Sequence, residues 1–270
     1  MKNSQSFGEI HRLAHGLPSD EHEFFYDCLL ISPSYHLANL VMTGETVNAD
    51  VIAQVTKWDD VLGTYAVCGD VYSLSFKDWW SKIGGALFYT PIASGGFTNY
   101  GSFKFLTTKL NEATLLESLA LVNDKARLLK RDGKKVDNWK LGVESKIRSK
   151  WVGELTANSK KTYENLEART TLGVLVSKKL KEALYLTENA ARGEFPSITP
   201  INSGLAFDYP KIYEIQRINT QLDLKTRQKQ KNTAGVKTKS YFERKVKPKN
   251  VKDKRIEQEV QKRLKLKLQG

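Results

Sequence analysis

Charge is segregated along this chain of 270 residues, and the segregation limits what each part can fold into. The last 46 residues, Lys225 to Gly270, hold 17 Lys or Arg against 4 Asp or Glu, a net +13 that equals the formal excess of the whole chain. Residues 1–124 carry −7 and residues 125–224 carry +7, so the first 224 residues together are neutral. A stretch so dense in cations repels itself and cannot sit against a core without a polyanion. It reads as a solvent-exposed interaction arm.

The remainder has the composition of a folded protein. With 40% hydrophobic and 27% charged residues, wholesale disorder, collagen and a disulfide-stapled miniprotein are excluded. A chain of this length buries roughly three-quarters of its unfolded surface and holds a core without metal or disulfide. Its two cysteines, Cys28 and Cys68, therefore read as buried thiols in a reducing, cytoplasmic setting. No run approaches about eighteen consecutive apolar residues, so no membrane-spanning segment is expected. Met1 to Ser6 lacks the apolar stretch of a secretory signal.

Apolar spacing predicts a mainly α protein: an irregular helical lobe over 1–132 with at most one short β-hairpin, a second helical lobe over 133–224, and a basic arm over 225–270. In the first lobe Pro18-Ser19-Asp20, with Glu23 three residues on, sets up a helix carrying Phe24, Phe25, Cys28 and Leu29. Ile31-Ser32-Pro33-Ser34 breaks it and starts a second helix, which Gly44 ends. Val51, Val55, Trp58, Leu62 and Tyr65 suggest further helix, interrupted near Asp59-Asp60. Val71 to Phe76 alternates like a strand or else leads into a helix with Ser75 and Asp78 at its start, and Gly84-Gly85 closes that segment. Of the adjacent Trp79 and Trp80, set about 100° apart on a helix, one is expected buried and the other half-exposed. Tyr89 to Ser102 reads as a loop and Phe103 to Thr108 as a short strand. Asn111 precedes a helix with Leu115, Leu119 and Val122 on one face, stopped by cations and Gly133, where the boundary between lobes is placed.

In the second lobe Leu172, Val176, Leu180, Ala183 and Thr187 form one helical stripe, ended at Gly193. Phe195 to Pro200 reads as extended linker, and Ile212, Ile215 and Ile218 as a modest helix. Lys225 to Asn250, interrupted by Gly235 and Pro248, reads as disordered when free. A helix over about 251–269 has Ile256, Val260, Leu264 and Leu268 four residues apart.

The strongest functional signal is nucleic-acid binding. Lys and Arg gain free energy on a phosphate backbone by releasing condensed counterions, and Lys225, Arg227, Lys229, Lys231, Lys237, Lys239, Arg244, Lys245, Lys247 and Lys249 supply such contacts. Tyr241-Phe242 among them offers a stacking platform for an unpaired base. In the second lobe Lys178, Lys179 and Lys181 join as candidates for a helix laid on DNA or RNA, with Lys146, Arg148, Lys150, Lys160, Lys161 and Arg169 around them. Their bland reading is a solvated face balanced by Glu154, Glu164, Glu167 and Glu182.

No metal or cofactor is expected. His11 and His15 share a helical face with His22, His36 and Cys28 nearby, but neither a His-Glu-x-x-His nor a Cys-x-x-Cys pattern occurs, so solvated or capping histidines are the better reading. Ser94-Gly95-Gly96 lacks the lysine of a phosphate cradle. These readings favour a non-enzymatic nucleic-acid-binding factor whose N-terminal lobe makes protein contacts or self-associates. The alternative is a scaffold or assembly factor that lays Ile256, Val260, Leu264 and Leu268 into a groove on a protein partner. An enzyme comes third, for want of a catalytic constellation.

Overall fold

The computed structural model describes residues 20–89, 104–105, 112–133, 135–147, 155–202 and 204–246, with 229–246 described by their backbone. The protein is mainly helical, in two compact units, Met1–Asp223 and Leu224–Gly270.

In the first unit, α1 (Asp20–Ile31) and α2 (Pro33–Met42) meet at Ser32, the N-cap of α2, whose side chain accepts from Tyr35 N with Pro33 at the first helical position. This is the break expected from Ser32-Pro33. Gly44 follows α2 at φ +82°, a conformation only glycine adopts cheaply. A short α3 (Ala49–Ala53) precedes α4 (Trp58–Cys68). The break thus falls at residues 54–57 rather than at Asp59-Asp60, which occupy the first turn of α4. Two carboxylates are favourable there because the helix dipole is positive at that end.

Residues 71–74 are bends, not a strand, and Ser75 caps α5 (Phe76–Trp79), accepting from Asp78 N at 3.2 Å. Gly84-Gly85 does not stop this segment. A π-helical turn, Trp80–Gly84, leads straight into α6 (Gly85–Tyr89). A Cβ at Gly84 would come within 2.8 Å of both Trp79 and Trp80 rings, so the glycine makes room for the indoles. Both tryptophans are buried, against the expectation of one. Trp79 packs on Tyr26 and donates its indole N–H to Cys68 O at 2.8 Å, while Trp80 stacks 6.0 Å from Phe88 on the other side. The segment is covered on two faces, which sequence spacing does not show.

The long helices complete the core. α7 (Glu112–Asp132) buries Leu115, Leu119 and Val122, and Gly133 follows at φ +64°. After α8 (Asn138–Glu144) comes α9 (Tyr163–Ala190), whose expected stripe Leu172, Val176, Leu180, Ala183 and Thr187 is buried throughout. α9 is the hub: α7, α8, α1 and α2 all pack against it. The core runs from Phe25 and Leu29 through Val122 and Leu141 to Val176 and Ile212, so the division expected at Gly133 falls inside one hydrophobic cluster. The described β structure is a two-residue parallel pair, β1 (Lys104–Phe105) with β2 (Glu194–Phe195), in register Lys104 to Glu194. It is not a hairpin, and Phe195 is core rather than linker.

The last helix, α10 (Tyr209–Val246), contributes its residues up to Asp223 to the first unit, burying Ile212 and Ile215 while Ile218 stays exposed. In the second unit the helix covers residues 224–246, against the expectation of disorder from Lys225. Lys, Arg and Gln are good helix formers, and between Pro210 and Pro248 nothing breaks the helix beyond Gly235. It is described up to Val246. The amphipathic helix expected over 251–269 lies outside the described residues.

Gly142 and Gly63 test this packing in opposite directions. A Cβ at Gly142 would lie 2.7 Å from Leu172 and 2.9 Å from Val176, whereas one at Gly63 meets nothing within 4 Å. Gly142→Ala should cost about 1–3 kcal/mol by overpacking the α8–α9 contact. Gly63→Ala should add roughly 0.5–1 kcal/mol, both read by urea denaturation.

Candidate functional site

Two kinds of charged structure stand out: one sealed in the core, the other a run of cations along the last helix. The sealed one is centred on Glu188 and Arg192, four residues apart at the end of α9. Their side chains are 0% and 1% exposed and pair at 3.0 Å. Glu188 Oε1 accepts from Ser32 Oγ at 2.9 Å and Ser34 N at 3.0 Å, and Oε2 accepts from Ser34 Oγ. The carboxylate therefore lies at the N-terminus of α2, where unpaired N–H groups and the dipole favour an anion. Arg192 donates to Thr56 O at 2.9 Å and to Glu188 O at 2.6 Å. Its chemistry is satisfied by its own partners and shut off from solvent, so it organises the fold. The serines that hold the carboxylate stand more than 150 residues before it in the chain. The only local sign of it is the four-residue spacing of Glu188 and Arg192.

The second is cationic. The eight basic residues between Lys225 and Lys245 face one acid, Glu243, giving residues 224–246 a net +7 on a continuous helix. Lys225 and Arg227 are exposed. Lys229, Lys231, Lys237, Lys239, Tyr241, Phe242, Arg244 and Lys245 lie along the helical backbone. Lys247, Lys249, Ile256, Val260, Leu264 and Leu268 lie outside the described residues. In the first unit Lys178 and Lys181 are exposed, with Lys178 Nζ 3.9 Å from Glu182 and Lys181 Nζ 5.6 Å from the ring of Tyr185. Lys179 is different. It is 8% exposed and ion-paired with Glu117 on α7, so it is no surface cation. Position 179 follows Val176 by three and precedes Ala183 by four, which puts it on the buried stripe; this signal was present in the sequence. Arg169 lies over the Trp139 ring at 3.9 Å and donates to Ser159 O, a further cation used internally.

The two described histidines pack against aromatic rings rather than standing free in solvent. His22 is 8% exposed between the rings of Trp80 and Phe88, at 4.7 and 4.6 Å, and burial lowers its pKa to about 4. His36 packs edge-on to Tyr72 at 5.3 Å, and burial lowers its pKa as well. His11 and His15 lie outside the described residues. Among the described residues no group of three His, Cys, Asp or Glu side chains is placed to hold a metal ion, and no helix is long and apolar enough to cross a membrane. Cys28 and Cys68 are buried free thiols, and burial raises the pKa of both. Comparison with protein-family models, with curated proteins and with solved structures finds no match for this chain.

Breaking the sealed pair should be costly. Glu188→Ala or Arg192→Ala should each lose about 3–5 kcal/mol, because each strands the other charge in the core. The double variant should lose less than the sum of the singles, read as a double-mutant cycle in urea.

The pH dependence of stability should divide between two groups. His22 has a folded pKa below its ordinary 6.5, so its contribution is present above pH 6.5 and is lost as pH falls towards 4. Asp27 has the opposite sign. Burial first, then Glu23 and Asp223, raise it from 3.8 to about 7, so its contribution falls as pH rises across that range. Melting curves of Asp27→Asn should therefore show a steeper gain in stability from pH 4 to 6.5 than the parent, and those of His22→Phe a loss.

Proposed function

We propose that the protein is a non-enzymatic nucleic-acid-binding factor that engages the phosphate backbone of DNA or RNA through its cationic C-terminal arm. The observation that carries this reading is the concentration of the entire net charge, +13, in residues 225–270. Two features support it. Residues 225–246 are helical, and 22 residues at a rise of about 1.5 Å span roughly 33 Å, close to one turn of duplex at about 34 Å. The cations along that stretch also recur at no fixed helical interval. Such spacing suits contacts to phosphates on several sides better than a single face reading base edges, and it favours affinity over sequence selectivity. Lys178 and Lys181 are auxiliary contacts in this reading. Lys179, held by Glu117, is not.

A second reading rests on the spacing of Ile256, Val260, Leu264 and Leu268, which suits burial of one helical stripe in a groove on a protein partner. Val260→Asp with Leu264→Asp separates the two: a protein partner is lost, whereas phosphate contacts only weaken.

Fluorescence anisotropy with labelled single- and double-stranded oligonucleotides across a salt series provides the test. The logarithm of affinity should fall linearly with the logarithm of salt, with a slope near −0.9 for each duplex phosphate neutralised. Replacing Lys225, Arg227, Lys229 and Lys231 with Gln should flatten that slope by up to about 3–4 units. Salt-insensitive binding, or a slope unchanged by the substitutions, would overturn the proposal.

A further inference from the structure

The hub helix α9 buries one side and turns the other to solvent. Val174 lies nine residues, two and a half turns, before the buried Ala183 and so points away from the core. It is 66% exposed, and Tyr163, eleven residues before it, is 94% exposed. Tyr185, eleven residues after it, is partly exposed. Eleven residues make close to three turns, so these three side chains fall on one line along the outer face. Single exposed apolar side chains are common on protein surfaces. What distinguishes this face is the order of its charges. Glu164 and Glu167 stand before Val174, and Lys178 and Lys181 after it, all four exposed. The two glutamate side chains have no ion-pair partner among the described residues. Lys178 reaches its neighbour Glu182 only at 3.9 Å, and Lys181 lies 5.6 Å from the Tyr185 ring.

We infer that this face of α9 is a self-association surface, on which a second copy of the chain lays its own α9 antiparallel about a two-fold axis at Val174. A residue a given number of places before Val174 then meets the residue the same number of places after it in the second copy. Val174 packs on itself. Glu167, seven places before it, comes level with Lys181, seven places after it, each about 10.5 Å from the axis along the helix. Tyr163 comes level with Tyr185, whose rings suit an edge or offset contact. Every contact off the axis occurs twice, as two-fold symmetry requires. A parallel pair would set Glu167 against Glu167 and Lys181 against Lys181, so the charge order selects the antiparallel arrangement. Lys160 and Lys161 precede the first turn, beyond the level of Tyr185 in the second copy, so the seam keeps its order from acid to base.

One helix pair is a small interface, so the dimer forms reversibly and depends on concentration. The surface stands apart from the nucleic-acid reading, which rests on residues 225–270. It does set a second copy and phosphate in competition for Lys178 and Lys181, and leaves the arm free in either case.

Sedimentation equilibrium of the full chain, freed of nucleic acid by nuclease and a high-salt wash, tests the surface. The expected result is a reversible equilibrium of monomer and dimer. Glu167→Lys and Lys181→Glu should each raise the dissociation constant about tenfold or more, since each turns both charge contacts repulsive. An equimolar mixture of the two variants should recover the dimer, because both contacts then join a lysine to a glutamate; a loss caused by misfolding would not be recovered by mixing. Val174→Cys should cross-link to a second copy with a short bismaleimide, while Ser81→Cys, exposed in the π-helical turn, should not. The native thiols Cys28 and Cys68 are buried and stay out of the reaction. A chain that is monomeric at about 300 μM once nucleic acid is removed, a dimer that Glu167→Lys leaves unchanged, or a variant mixture that stays monomeric would overturn the inference.

Discussion

The first unit depends on one buried ion pair. Glu188 and Arg192 are removed from water at a cost of several kcal/mol each, and that cost is offset only because nearly every lone pair and N–H they present has a partner. Ser32 and Ser34 donate to the carboxylate, and Thr56 O and Glu188 O accept from the guanidinium. Ser32 also caps α2, so a single hydroxyl links the start of that helix to the end of α9. The α1–α2 junction, the link before α4 and the end of the hub helix thereby meet at one place. The packing of Phe24 and Phe25 against Phe195 follows from it, since Phe195 lies just beyond Arg192.

Inside and outside, the chain handles charge in opposite ways. The core ion pair is closed upon itself, and Lys179 is neutralised by Glu117 as α7 packs on α9. The arm has one acid among eight cations over residues 224–246, which leaves its positive charge uncompensated locally. Self-repulsion of that kind disfavours compaction but does not prevent a helix, because straight-chain side chains keep their rotamer freedom pointing away from it. The expectation of disorder, drawn from charge density with the interruptions at Gly235 and Pro248, overlooked this difference between failing to pack and failing to coil.

Periodicity made much of the helical framework legible. The stripe from Leu172 to Thr187, the cap at Ser32-Pro33 and the stop at Gly133 all appear where the spacing puts them, because each rests on neighbours within one or two turns. Where several elements cover the same segment, local reading failed. Trp79 and Trp80 are both buried because α1 and α6 cover different faces. Gly84 is small to admit two indoles, not to end a helix. Lys179 was read as a surface cation because its charge outweighed its position on the apolar stripe.

What the sequence determined by itself is the helical character of the chain and the segregation of its charge, since both depend on composition and on spacing within a few residues. The tertiary structure alone decided which polar groups are spent on folding and which remain available. That outcome depends on whether a partner group arrives from a distant part of the chain. Glu188 found Ser32, Ser34 and Arg192 in the core, and Lys179 found Glu117.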